Sequence, residues 1–160
     1  MQKWMVLAKK ADFYGIGRKF GIDPVIARVI RNRERISEEE IEQYLHGKMN
    51  QIYSFKQMKG MEDALELLLE KIREKKKIRI IGDYDIDGVC STYILLIGLK
   101  KAGAMVDVDI PDRIKDGYGI SKELIDLAYQ AGTDTIITCD NGISAVEQVD
   151  YAKSLGMTVI

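Results

Sequence analysis

Cysteine, proline and histidine are scarce in this sequence, whose 160 residues include two Cys, two Pro and one His. Cys90 and Cys139 are too few for a disulfide framework and form no Cys-x-x-Cys pair, so both read as small buried hydrophobes. The single histidine, His46, falls at an expected helix end, where a cation suits the helix dipole. One histidine far from the acidic segments gives no support to Ser–His–Asp chemistry, and no nucleophile elbow accompanies it. No apolar run approaches the roughly 18 residues that cross a bilayer. Trp4-Met5-Val6-Leu7 is followed at once by Lys9, Lys10 and Asp12, unlike a signal peptide, so a cytoplasmic location with no membrane partner is expected. Two nucleotide signatures are also missing: no Gly-x4-Gly-Lys-Ser/Thr loop and no GxGxxG run.

What is present is a globular composition, 46% hydrophobic, with a net charge of −1 that hides an asymmetry. Residues 1–80 carry 18 Lys+Arg against 12 Asp+Glu, whereas residues 81–160 carry 6 against 13. A basic arm beside an acidic core suits a protein that attracts phosphates and holds cations. Taken alone, Lys75-Lys76-Lys77 and the Arg28–Arg35 cluster are ordinary solvated helix faces.

Residues 1–60 read as short helices. Asp23-Pro24 opens one, with Pro at the first helical position. Ser37 and Glu40 make a capping box for the next, which runs to about Leu45 and ends at Gly47. A longer helix is predicted from about Met61 to Lys76, with Leu65, Leu68, Leu69 and Ile72 as its buried stripe. From residue 78 strands and helices alternate. Strands are expected at 78–81, 105–110, 135–139 and 157–160, and helices from about Val89 to Lys101, from Ser121 to about Gln130, and from Ser144 to about Leu155. This alternation predicts an α/β fold, a mostly parallel sheet with helices on both faces, preceded by a small helical N-terminal segment. The expected division is residues 1–55 and 56–160. In such sheets ligands gather at the carboxyl ends of the strands.

That edge is acidic. Asp83, Asp85 and Asp87 alternate directly after the first strand. Three anions so close repel one another, and a divalent cation relieves the conflict; an oxygen-only ligand set points to a hard ion such as Mg²⁺ or Mn²⁺. Two have a plainer reading: Asp83 as a turn residue, Asp87 as the N-cap of the following helix. Asp85 has no obvious structural task. Asp140 ends the third strand, before an Asn141-Gly142 turn, and is expected on the same edge. The loop after the second strand, 111–119, carries Arg113 and Lys115 as candidate phosphate contacts, Tyr118 as a candidate base-stacking side chain, and Gly117 and Gly119 where the backbone runs tight. Spacing alone makes this an ordinary loop with Ser121 capping the next helix.

The run Gly82-Asp83-Tyr84-Asp85-Ile86-Asp87-Gly88 resembles motif I of the DHH phosphoesterases in its RecJ-type form. Cys139-Asp140-Asn141-Gly142-Ile143-Ser144 is similar to motif II. The Asp-Gly-Tyr-Gly-Ile-Ser run at 116–121 and the lead-in Met58–Ala64 are similar to RecJ-type segments. The resemblance implies a metal-dependent exonuclease that removes nucleotides from single-stranded DNA 5′ to 3′ in recombination and repair. It implies Mn²⁺ or Mg²⁺ as cofactor, with two metals in the full-length protein. A helicase or single-strand-binding protein enters as a possible associate. Asp85, Asp87 and Asp140 match metal ligands, and Asp83 sits beside the metals in the catalytic set; Arg113, Lys115, Tyr118 and Gly119 remain the candidate substrate contacts. Ile81 stands where many relatives have a histidine ligand. The Asp-His-His motif itself is expected directly after 157–160, so this chain is expected to be an N-terminal portion, inactive or nearly so alone. A smaller DHH phosphodiesterase for oligonucleotides, cyclic dinucleotides or pyrophosphate is an alternative, as is a non-catalytic scaffold that binds nucleic acid.

Overall fold

The structure, a computed structural model, describes residues 3, 5, 10–114, 117 and 119–160. It forms two compact units, Met1–Gln57 and Met58–Ile160.

The first unit contains α1 (Phe13–Phe20), α2 (Pro24–Asn32) and α3 (Glu38–His46). Each helix begins at a side chain that accepts from the first turn: Asp12 from the Gly15 N–H, Asp23 from Val25, and Ser37 from Glu40 in the expected capping box. Gly21, at φ 65°, turns the chain out of α1 in the left-handed conformation that glycine adopts without penalty. Ala27, Ile30 and Ile41 are buried, and the Arg28 guanidinium lies 4.9 Å from the Phe13 ring centre.

The second unit contains α4 (Met61–Arg73), β1 (Lys77–Ile81), α5 (Ile86–Lys101), β2 (Met105–Asp109), α6 (Lys122–Gln130), β3 (Thr135–Thr138), α7 (Val146–Ser154) and β4 (Thr158–Val159). All strand pairs are parallel, in the order β2-β1-β3-β4. Alternate side chains of β1 feed two cores. Ile78 and Ile80 pack with Leu99, Ile137 and the α4 and α5 residues Leu68, Ile72, Leu95 and Leu96. Ile81 joins Leu124, Ile125 and Ala128 of α6, Ile136, and Ala152 of α7 on the other face. The expected parallel sheet covered on both faces is therefore the architecture.

Of the expected buried stripe of α4, Leu65 and Leu69 are exposed, and three further local expectations differ. First, α5 begins at Ile86 rather than near Val89, and its N-cap is Asp85, not Asp87. The sheet explains this: β1 stops at Ile81, so a helix that packs back on it begins within a few residues. Second, α7 begins at Val146, because a turn closed by Ala145 N–H donating to the Gly142 carbonyl (3.0 Å) takes up Ser144. Third, Cys90 is exposed and Cys139 half-buried. Cys90 lies on an outer α5 stripe with Ile86, Val89, Tyr93 and Ile94, all exposed.

A charged ladder ties the edge strand to its neighbour. Arg79 donates to both carboxylate oxygens of Asp107 at 2.8 Å, Lys77 stands 3.4 Å from Asp107, and Asp109 lies 3.8 Å from Arg79. The Arg79 hydrogen bond holds the Asp107 pKa below the usual carboxylate range, partly opposed by desolvation. Because the folded pKa is depressed, the stabilisation is complete above the unfolded value near about 3.9 and fades as pH falls through the folded value. Asp107→Asn is expected to cost about 1 kcal/mol at pH 7, after allowance for solvent screening, lowering Tm by a few degrees. The Tm gap between wild type and variant should narrow progressively as pH falls below about 4; a gap unchanged at pH 2 would contradict the assignment.

Candidate metal centre

The strand order places the site. From β1 the chain moves outward to β2, then crosses back to β3 and continues outward to β4. The sheet's switch point therefore lies between β1 and β3, where a parallel α/β sheet opens a crevice at its carboxyl edge. Asp83 leaves β1 there, and Asp140 leaves β3. The main chain stays paired to this point, with Cys139 N–H donating to the Ile81 carbonyl at 3.2 Å and Gly82 N–H to the Asp109 carbonyl at 3.1 Å.

Asp83 is buried, at 2% exposure, and accepts from the Tyr84 N–H at 2.8 Å. Asp85 caps α5: its Oδ1 accepts from the N–H groups of Asp87 at 3.0 Å and Gly88 at 2.9 Å. Asp140 has φ 60°, a left-handed conformation uncommon outside glycine, asparagine and aspartate. Its neighbour Asn141 fixes the turn by donating from Nδ2 to the carbonyls of Ile81 and Cys139, both at 3.2 Å. This clamp was not read from the sequence, where Asn141-Gly142 signals only a turn. The one available hint was an amide side chain placed where two adjacent strands end.

Asp83, Asp85 and Asp140 each offer a carboxylate oxygen within 4.8 Å of the others. At that spacing the three carboxylates could share one hard cation. Desolvation, followed by the negative charges of Asp85, Asp87 and Asp83, raises the Asp140 pKa, and the Asp85 carboxylate comes within hydrogen-bond reach of it. The donor set is hard oxygen, and its repulsion is what a divalent cation neutralises. Asp87 lies outside the mutually close trio. It sits exposed in the first turn of α5, acting on Asp140 through its charge.

Of the candidate substrate contacts, Arg113 is exposed with its guanidinium carbon 5.3 Å from the centre of the Tyr84 ring. Gly119, at φ 78°, lies against Asn141, where an added Cβ would be 3.8 Å from the Asn141 Cβ. The described loop thus reaches the acidic edge. Lys115 and Tyr118 fall outside the described residues.

A parallel α/β domain with clustered carboxylates at its switch point defines a class of protein suited to holding a hard cation at the carboxyl edge of its sheet. The chain belongs to the DHH family: the model of the DHH family, N-terminal domain, matches residues 77–160. It is 40% identical over 139 residues to the single-stranded-DNA-specific exonuclease RecJ of Bacillus subtilis, a match covering 87% of this chain and 18% of that protein. It is 36% identical to RecJ of Escherichia coli, covering 87% of this chain and 24% of that one. The chain thus spans no more than about a quarter of these relatives. A crystal structure of exonuclease RecJ bound to manganese aligns with TM-score 0.62 and 35% identity over 68% of this chain and 28% of that one. RecJ from Thermus thermophilus in complex with Mn²⁺ aligns with TM-score 0.58 and 26% identity, over 92% of this chain and 20% of that one. No helix among the described residues is long and apolar enough to cross a membrane.

Proposed function

We propose that this chain provides the carboxylate half of a metal-dependent active site in a single-strand-specific DNA exonuclease. The observation that carries the reading is the convergence of Asp83, Asp85 and Asp140 at the switch point of the sheet. The identity to RecJ proteins and the two manganese-bound structures support Mn²⁺ as the ion, with Mg²⁺ as the chemically similar substitute. Residues 56–160 would carry this site, and the basic helical arm, 1–55, would add attraction for the nucleic-acid backbone.

In this reading Asp83, after β1, Asp85, at the start of α5, and Asp140, after β3, would hold the cation. Asp87 adds negative charge, or a ligand to a second ion. Arg113 receives a substrate phosphate with paired N–H donors, while Gly119 lets the loop approach closely; Lys115 and Tyr118 are proposed to extend this contact along the strand. A bound metal supplies charge neutralisation at the scissile phosphate and an activated water. Digestion 5′ to 3′, a part in recombination and repair, cytoplasmic location, and association with a helicase or single-strand-binding protein complete the proposal by resemblance.

The test uses the full-length protein on 5′-labelled single-stranded DNA with Mn²⁺. Removing the metal with EDTA is expected to lower the rate by about 10³-fold or more, and Mn²⁺ should restore it. Asp140→Asn should reproduce the loss without EDTA. Equal cleavage in EDTA, or a strong preference for cyclic dinucleotides over single strands, would overturn the reading.

A further inference from the structure

We propose that Tyr84 is a positioning residue, which holds the Arg113 guanidinium at the carboxylate edge as a ready receptor for a substrate phosphate. This deepens the exonuclease reading and rests on it for the identity of the ligand. Tyr84 stands between two members of the carboxylate trio, and its backbone is fixed by the hydrogen bond from its N–H to Asp83. Arg113 comes from a different loop, which is anchored from its own side. Pro111 is fully buried, and the Asp112 carboxylate accepts from the Ile114 N–H at 2.9 Å, closing a turn around Arg113. The two fixed segments meet where the guanidinium lies 5.3 Å from the ring centre.

The electrostatics make this contact informative. An arginine on a loop that leaves an acidic sheet edge could pair with a carboxylate there. Among the described residues Arg113 makes no ion pair and no hydrogen bond; its contact is the tyrosine ring. A ring face attracts the positive charge through its quadrupole and uses none of the N–H donors. Those donors stay available for the parallel hydrogen bonds that a guanidinium gives to two phosphate oxygens. A flexible arginine would lose rotamer freedom on binding phosphate; one already held loses less.

The experiment compares full-length wild type with Tyr84→Leu, which keeps apolar bulk without a π face, and Tyr84→Phe, which keeps the face. Tyr84→Gln serves as a second variant lacking a π face, should leucine lower Tm. Two readouts are taken: anisotropy of a fluorescein-labelled thymidine 12-mer in EDTA, and KM and kcat on the same strand with Mn²⁺. Tyr84→Leu is expected to weaken binding and raise KM about three- to tenfold, with kcat within about twofold and Tyr84→Phe within about twofold of wild type. Arg113→Ala should cost about tenfold or more, and Tyr84→Leu should then add less than about twofold, since the two act as one unit. The proposal is overturned if Tyr84→Leu matches wild type, if Tyr84→Phe is as weak as Tyr84→Leu, or if Tyr84→Leu keeps its full effect without Arg113. A wild type that cleaves while Tyr84→Leu is unchanged defeats this inference alone. A wild type that binds the 12-mer without cleaving it defeats the exonuclease reading, and the binding arm then decides on Tyr84. A wild type that does not bind defeats both.

Discussion

Asp85→Asn in the full-length protein is expected to reduce Mn²⁺-dependent cleavage of single-stranded DNA by about 10³-fold, roughly 4 kcal/mol of barrier, with thermal stability almost unchanged. The reason is that Asp85 has two tasks in this structure. Its Oδ1 caps α5 by accepting from Asp87 and Gly88, and its carboxylate also belongs to the trio with Asp83 and Asp140. Asparagine keeps the first task, since an amide oxygen caps a helix about as well as a carboxylate. It fails the second, because the negative charge that a hard cation needs is gone. Asp85→Ala fails both, and should add a loss of about 1 kcal/mol in unfolding free energy to the same loss of activity. Single-strand binding in EDTA should stay within a few-fold for both variants, because Arg113 and the basic arm are untouched. Cleavage by Asp85→Asn within tenfold of wild type would remove Asp85 from the metal site. Equal stability of the alanine and asparagine variants would remove it from the cap.

The same residue shows where reading the sequence reaches its limit. The strands were legible because Ile78–Ile81 and Thr135–Thr138 are β-branched runs bounded by turn residues. Their joint ending on one acidic edge followed from the parallel alternation. Which aspartate capped the helix was not legible: Asp83, Asp85 and Asp87 are equivalent in local propensity, and the choice depends on where β1 stops in the sheet. The Arg79–Asp107 pair joins residues 28 apart, through a register that no local pattern announces. Asn141 reads as a turn former until Ile81, 60 residues earlier, is known to lie beside it. The Tyr84–Arg113 contact belongs to the same kind: each residue stood in a recognisable segment, and only the strand order β2-β1-β3 brings the segments together. Local chemistry was readable, whereas contacts set by topology were not.

Gly88→Ala is expected to damage both the fold and the site, and the geometry says why. A Cβ built on Gly88 would lie 2.5 Å from the Asp83 carbonyl oxygen and 2.6 Å from its carbonyl carbon. These are backbone atoms, so no side-chain rotation relieves the clash. Either the first turn of α5 lifts away from the strand end, or the Asp83 segment moves. Both responses separate the carboxylates, because Asp83 rides on one body and Asp85 is hydrogen-bonded to the other through the Gly88 N–H. Alanine gains about 1 kcal/mol in helix propensity over glycine, but overpacking against fixed backbone typically costs about 1–3 kcal/mol, and burying Asp83 in a displaced position adds to it. A net loss of about 1–2 kcal/mol, several degrees in Tm, should accompany a fall in Mn²⁺ affinity of about tenfold or more. Gly98→Ala supplies the control on the same helix. An added Cβ there meets nothing within 4 Å, so the propensity gain stands alone, and the variant should be neutral or more stable by about 0.5–1 kcal/mol, with wild-type Mn²⁺ binding. If Gly88→Ala instead behaves like Gly98→Ala in both unfolding and Mn²⁺ titration, the tight joint between α5 and Asp83 does not set the metal geometry, and the carboxylates are held by the strand ends alone.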